Sequence, residues 1–267
     1  MTDRIFYMPT LIHPTAIVAP HAQLGEDVAV GPYTVIEPNA QIGDGCKIGP
    51  HALVAEGTRM GRRCRIFKGA SIGTEPQDIK YKQEPTLLWL GDEATVREFC
   101  TINCGTPATG ETRIGSHCYL MAYCHVAHDC HIGHHFVAAN TLNLAGHVTI
   151  GDHVWAGGTV AVAQFRTIGD HSFLGGYSQI IHDVVPFALV TQEATARIVD
   201  INKIGLERRG FDETRRRAIK DAYKILFRQG LSLDDALAKL AAEFPDNPDV
   251  QQIIVFARAS KYGLLRP

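Results

Sequence analysis

The chain has 267 residues, 45% of them hydrophobic and 20% charged, with 26 lysines and arginines against 28 aspartates and glutamates for a formal net charge of −2. A balance so near neutral gives no ground for a nucleic-acid or anionic-membrane partner, and no stretch stays apolar long enough to span a bilayer. Met1 to Thr15 lack a basic segment leading into an apolar run, so no secretory signal is expected and the cytoplasm is the default location, in one domain or two.

Residues 1–10 read as a short lead-in, after which a fixed period takes over. Counting in sixes from Ile12 lands on Val18, Leu24, Val30, Ile36, Ile42, Ile48, Val54, Met60, Ile66 and Ile72. The frame resumes at Leu90, Val96 and Ile102, then runs from Ile114 through Leu120, Val126, Ile132, Ala138, Leu144, Ile150, Ala156, Val162, Ile168 and Leu174 to Ile180. The next residue is often glycine, as at Gly25, Gly43, Gly115 and Gly151, which suits a corner of positive φ. The fifth slot is small: Ala22, Ala40, Ala52, Ala70 and Ala94. A unit with one large and one small inward residue cannot bury itself, so the hexads must stack, and the fold is a β-solenoid.

This pattern resembles the hexapeptide-repeat acyltransferases, which implies a left-handed parallel β-helix of triangular section with three hexads per coil. Residues eighteen apart would then stack about 4.8 Å apart. Cys46, Cys64, Cys100, Cys118, Cys124 and Cys130 fill the small inward slot and read as reduced core residues, with Cys104 out of phase. Cys46 with Cys64, and Cys100 with Cys118, are eighteen apart and would stack, although a cytosolic location argues against disulfides.

Two stretches leave the frame. Residues 74–89 and 103–113 read as loops ejected from the solenoid, which usually carry function, neutral insertion being the alternative. After Pro186 the hexads stop and Thr191 to Gly205 reads as irregular. Asp212 caps a helix from Glu213 to Gln229, Ser232 caps one ending near Phe244, and Asn247-Pro248 opens a third to about Ser260. The division is therefore a solenoid over residues 1–190 and a helical subdomain over residues 191–267.

Stacking by eighteen makes Asp129 a neighbour of His147, and sets His128, Gly146 and Gln164 in one column. A histidine is the natural acceptor for the proton of an attacking alcohol, and an unobstructed glycine N–H can hold an oxyanion. No Gly-x-Ser-x-Gly elbow is present, which favours direct attack over a covalent intermediate. His131, His134, His135, His153 and His171 read as solvated corners. The run His125, His128, His131, His134 resembles a metal motif, but six residues turn the chain by a third of a coil, leaving only a site shared between subunits.

His125-Val126-Ala127-His128-Asp129-Cys130, Ala145-Gly146-His147, Gln164-Phe165 and Gly205-Leu206-Glu207-Arg208-Arg209-Gly210-Phe211 together resemble the UDP-N-acetylglucosamine acyltransferase family over nearly the whole chain. Membership would imply transfer of an (R)-3-hydroxyacyl group from acyl carrier protein to the 3-hydroxyl of UDP-N-acetylglucosamine, the first step of lipid A synthesis, without cofactor or metal. It would make His128 the general base, Asp129 its orienting group and Gly146 N–H the oxyanion donor. His125, His147 and Gln164 would position sugar or acyl carbonyl, and Gln77, Asp78 and Lys80 would lie near sugar and diphosphate. Asn202, Arg208 and Arg209 would serve the nucleotide side; without the resemblance the two arginines are equally well helix-end charges.

The resemblance also implies a homotrimer with sites between subunits, and a long acyl chain, because Gly176 falls where a bulky side chain blocks short-chain members. The basic run from Arg208 to Lys220 either meets acidic acyl carrier protein or is a solvated face. Ala163, Cys104 and Ile204 depart from residues common in the family. Rival readings are the N-acylating sister enzyme that acts on the 3-O-acylated glucosamine, a coenzyme A dependent acetyltransferase, a zinc-bearing solenoid carbonic anhydrase, and a purely structural trimer.

Overall fold

A computed structural model describes residues 10–192 and 195–267; residues 1–9, most of the lead-in, and 193–194 lie outside it. Among the described residues, strands mostly two residues long form three sheets of 11, 9 and 8 strands, each sheet taking every third strand until the hexads end. A chain that returns to the same sheet at every third strand winds as a three-sided prism, here the left-handed parallel β-helix of hexapeptide repeats. We call the faces first (holding Tyr119–Leu120), second (His125–Val126) and third (His131–Ile132).

The frame residues point into the prism: Ile36, Ile72, Ile102, Leu120, Val126 and Leu144 are fully buried, and the small slot beside them is equally dry at Ala40, Cys46 and Cys130. Each large residue removed from water is worth about 1.5–3 kcal/mol, which is how strands too short to persist alone are held.

Successive coils are eighteen residues apart at Ile132↔Ile150, thirty at Arg65↔Thr95, where the first ejected loop intervenes, and twenty-four at Thr101↔His125, across the second. That lengthened coil corrects one expected pairing. Ala94, not Cys100, precedes the strand that pairs with the one after Cys118, and Cys100 lies against Cys124. All seven cysteines are free and buried.

A second correction concerns the corners. Of the glycines that follow frame residues, only Gly73 has positive φ; the left-handed residue stands two places further on, as at Asp129 (φ 60) and His147 (φ 61). The glycines answer a different need. A Cβ on Gly43 would lie 2.7 Å from the Gly61 carbonyl oxygen, so the coils can approach only where the side chain is absent.

Beyond the hexads the chain is more ordered than expected. Ala188–Gln192 adds to the first face in parallel and then pairs antiparallel with Ala196–Ile201, a hairpin where irregular chain was expected. A short helix missed in the sequence, α1 (Lys203–Arg208), follows, capped by Asn202, whose side chain accepts from the Gly205 N–H. Helices α2 (Glu213–Arg228), α3 (Leu233–Glu243) and α4 (Pro248–Ala259) have the caps read from sequence, Asp212, Ser232 and Asn247. They are clamped to the last coil by the buried Tyr223 hydroxyl, which donates to Pro186 O at 2.6 Å, and by Ser260 Oγ, which donates to Asp183 at 2.6 Å.

Candidate active site

Where the second face turns into the third, the corner residues of successive coils are Asp129, His147 and Phe165, all with positive φ. Stacked corners turn sequence spacing into contact: His147 Nε2 lies 3.5 Å from Asp129 Oδ2, and the rings of His147 and Phe165 stack at 4.6 Å. Tyr262, from beyond α4, continues the stack on Phe165 at 6.0 Å, with Arg166 over its ring at 4.3 Å.

Asp129 is almost fully buried, and both of its carboxylate oxygens are engaged. Its neighbour His128 approaches through Nδ1 at 2.7 Å, and the second ejected loop supplies the Thr106 N–H at 2.9 Å, the Thr106 hydroxyl at 2.7 Å and the Thr109 hydroxyl. Burial pushes this carboxyl upward, but the hydrogen bonds from Thr109, His128 and Thr106 outweigh it and hold it below the usual range. Facing an ionised carboxylate, His128 Nδ1 must carry a proton, so that in the neutral imidazole the lone pair belongs to Nε2. Thr106 and Thr109 were not read from the sequence, since a loop outside the frame has no spacing from which to place it.

The His128 ring lies flat against Gly146: a Cβ there would sit 2.6 Å from His128 Cε1 and 2.8 Å from Nε2. Among the described residues no acceptor takes the Gly146 N–H, whereas its carbonyl accepts from the Phe165 N–H at 3.1 Å. Gln164 follows one coil on, exposed, and His125, half-buried, meets Thr101 Oγ1 through Nδ1 at 2.7 Å. Burial, with His128 nearby, lowers the His125 pKa. His128, Asp129 and His147 hold ligand-type atoms within 4.8 Å of one another, yet the four hydrogen bonds already on Asp129 suit an orienting carboxylate better than a metal ligand.

The other expected site residues lie elsewhere. Gln77, Asp78 and Lys80 stand on the first ejected loop, where the Lys80 N–H donates to Asp78 Oδ1 at 2.9 Å, and Asn103 ties the loop base through Nδ2 to Glu75 O at 2.8 Å. Gly176 stacks on Gly158, so that a Cβ at 176 would meet the Gly158 carbonyl at 3.2 Å and a strip of bare backbone runs there. Asn202, Arg208 and Arg209 sit at the edge between third and first faces: Asn202 Nδ2 donates to His171 O at 2.8 Å, and Arg209 Nη1 donates to His153 Nδ1 at 2.7 Å. Within one chain the third face separates them from His128.

That edge also corrects the reading of His153 and His171 as solvated corners, whereas His135 is exposed as expected. His117, His135, His153 and His171 form one column, with ring centroids 4.8, 4.6 and 5.0 Å apart, continuing to Phe187 at 5.8 Å. His153 and His171 are half-buried, and burial, with His153 and Arg209 beside it, pushes His171 down to about 4. His131 and His134 are exposed, as expected.

The prism and its hexads are those of the hexapeptide-repeat acyltransferases. Comparison with known proteins narrows this. A hexapeptide-repeat transferase profile matches residues 21–56, and the profile described as UDP-N-acetylglucosamine O-acyltransferase, domain 2, matches residues 183–265. The acyl-[acyl-carrier-protein]–UDP-N-acetylglucosamine O-acyltransferase of Halorhodospira halophila is 49% identical over 96% of this chain and 100% of its own length. The structures of LpxA from Acinetobacter baumannii (TM-score 0.93, 39% identity) and from Bacteroides fragilis (0.94, 38%) each cover 96% of this chain and 100% of theirs. This chain belongs to the acyl-[acyl-carrier-protein]–UDP-N-acetylglucosamine O-acyltransferase family.

Proposed function

We propose that the protein moves an (R)-3-hydroxyacyl chain from acyl carrier protein to the 3-hydroxyl of UDP-N-acetylglucosamine, the first step of lipid A biosynthesis, in the cytoplasm. The observation that carries the mechanism is the His128 ring, held by Asp129 through Nδ1 and lying against the bare amide of Gly146. Nε2 removes the proton as the sugar oxygen attacks the thioester carbonyl, and the Gly146 N–H holds the resulting oxyanion. Collapse breaks the C–S bond, and the imidazolium returns the proton to the departing carrier thiolate. His125, His147 and Gln164 position the sugar and the acyl carbonyl, with Gln77, Asp78 and Lys80 toward sugar and diphosphate.

Asn202, Arg208 and Arg209 bind the nucleotide side, where guanidinium forks match phosphate oxygens. Because they occupy a different edge from His128, the reading requires a homotrimer in which a neighbouring copy brings its arginine edge to this chain's histidine edge. The strip at Gly158 and Gly176 leaves room for a long chain, of about the hydroxymyristoyl class, and a Gly176→Met variant should prefer shorter donors.

The test is mass spectrometry of the protein incubated with UDP-N-acetylglucosamine and hydroxymyristoyl acyl carrier protein, beside His128→Ala. A hydroxyacylated sugar nucleotide that disappears in the variant is the expected result. Undiminished product from the variant would remove His128 as base, and no product from either would remove the substrate pair.

A further inference from the structure

Arg209 is held in an unusual way. Among the described residues no carboxylate lies within ion-pair distance of it, and its Nη1 donates to His153 Nδ1 at 2.7 Å. A guanidinium has only donors, so the imidazole must accept, which requires His153 to be neutral with its proton on Nε2. The nearby arginines are anchored differently: Arg215 forks onto Asp249 at 2.8 and 2.9 Å, and Arg216 reaches Glu207 at 3.7 Å. A carboxylate partner cancels the charge it orients. A neutral ring fixes the fork and leaves the charge whole for an incoming anion.

His153 is itself fixed, clamped between His135 at 4.6 Å and His171 at 5.0 Å. Below His135 the column reaches His117, anchored by Glu93 at 3.2 Å; above, it packs against Phe187 and Phe211. The charged neighbours are Asp152, whose backbone N–H is bonded by Asp170 Oδ1 at 2.8 Å, Asp170 itself, held also by Gln252 of α4, and Asp249 of the same helix facing His171.

We propose that His153 is a positioning residue for Arg209: as a neutral acceptor it sets the guanidinium for the diphosphate of the sugar nucleotide and makes nucleotide affinity fall with acidification. The inference rests on Arg209 belonging to the nucleotide subsite. Protonating His153 removes the lone pair that Arg209 uses and places a second cation against it. Burial first, and then Arg209 and His135, lower the His153 pKa, which keeps the ring neutral around pH 7.

The probe is UDP-N-acetylglucosamine itself, a diphosphate diester with no proton to lose in this window, titrated calorimetrically into the intact protein without donor. His153→Phe keeps a ring in the stack and removes the acceptor, and should raise Kd about tenfold. His153→Gln restores an acceptor and should recover most of the affinity. The double variant with Arg209→Ala should bind no more weakly than Arg209→Ala alone. From about pH 8 to about pH 5.5 the wild-type Kd should rise more steeply than that of His153→Phe.

An unchanged Kd in His153→Phe, additive losses in the double variant, or parallel pH curves would overturn the assignment. Binding is read without turnover, so a failure of acyl transfer would remain visible as a separate result.

Discussion

Two edges of the same prism present histidines from corner turns of nearly the same backbone, and the two imidazoles that matter hold opposite ends of a hydrogen bond. At the edge of second and third faces, His128 Nδ1 donates to Asp129, whose charge is kept by Thr106 and Thr109. At the edge of third and first faces, His153 Nδ1 accepts from Arg209, with stacked rings above and below. The partner, not the ring, decides where the proton sits. An anionic partner leaves a basic nitrogen free to work on substrate, whereas a cationic partner turns the ring into a support.

The difference is testable by removing one side at a time. His128→Ala should lower kcat about 100- to 10,000-fold in a steady-state transfer assay while UDP-N-acetylglucosamine binding changes little; His153→Phe should do the reverse. Gly146→Ala forces the His128 ring off its seat, since the new methyl would lie 2.6 Å from Cε1, and should cost about 100-fold in kcat, again with little change in binding. Thr109→Val strips one hydrogen bond from Asp129 and should lower kcat roughly tenfold, with the acid limb of the pH–rate profile moved upward as the carboxyl becomes easier to protonate.

The smallest effect is on stability. His171 has its folded pKa depressed from 6.5 to about 4, so the folded chain takes up this proton less readily than the unfolded one, and the stabilisation present above pH 6.5 drains away as pH falls through 4. Calorimetric Tm should therefore drop more between those two pH values in the wild type than in His171→Phe. Parallel curves would show that the upper column does not resist protonation.

Most of the candidate catalytic edge was legible because a strict period makes position computable: counting by eighteen set Asp129 against His147 and His128 over Gly146. The same count also links His117, His135, His153 and His171, yet the last three were read singly as wet corners, which holds for His135 and fails for the half-buried His153 and His171. The mistake was to take a corner as an exposed point, when left-handed corner residues of successive coils lie on one another. Cys100 and Cys118 failed for another reason: an ejected loop lengthens the coil between them, and nothing in the frame reports where the coil closes. Thr106 and Thr109 lie outside the rhythm, and the hairpin from Ala188 to Ile201 has no hexad to betray it.

That hairpin also sets the length of the molecule. A parallel coil ends in unpaired amides and carbonyls at the spacing another coil needs, an invitation to end-to-end growth into a filament. On the first face, Ala188–Gln192 meets a strand running the opposite way, and α2 packs against that strand, Ala196–Ile201. Polarity is reversed where polymerisation would begin, so the periodic winding that builds the prism has a built-in terminus and the repeat stays a discrete enzyme.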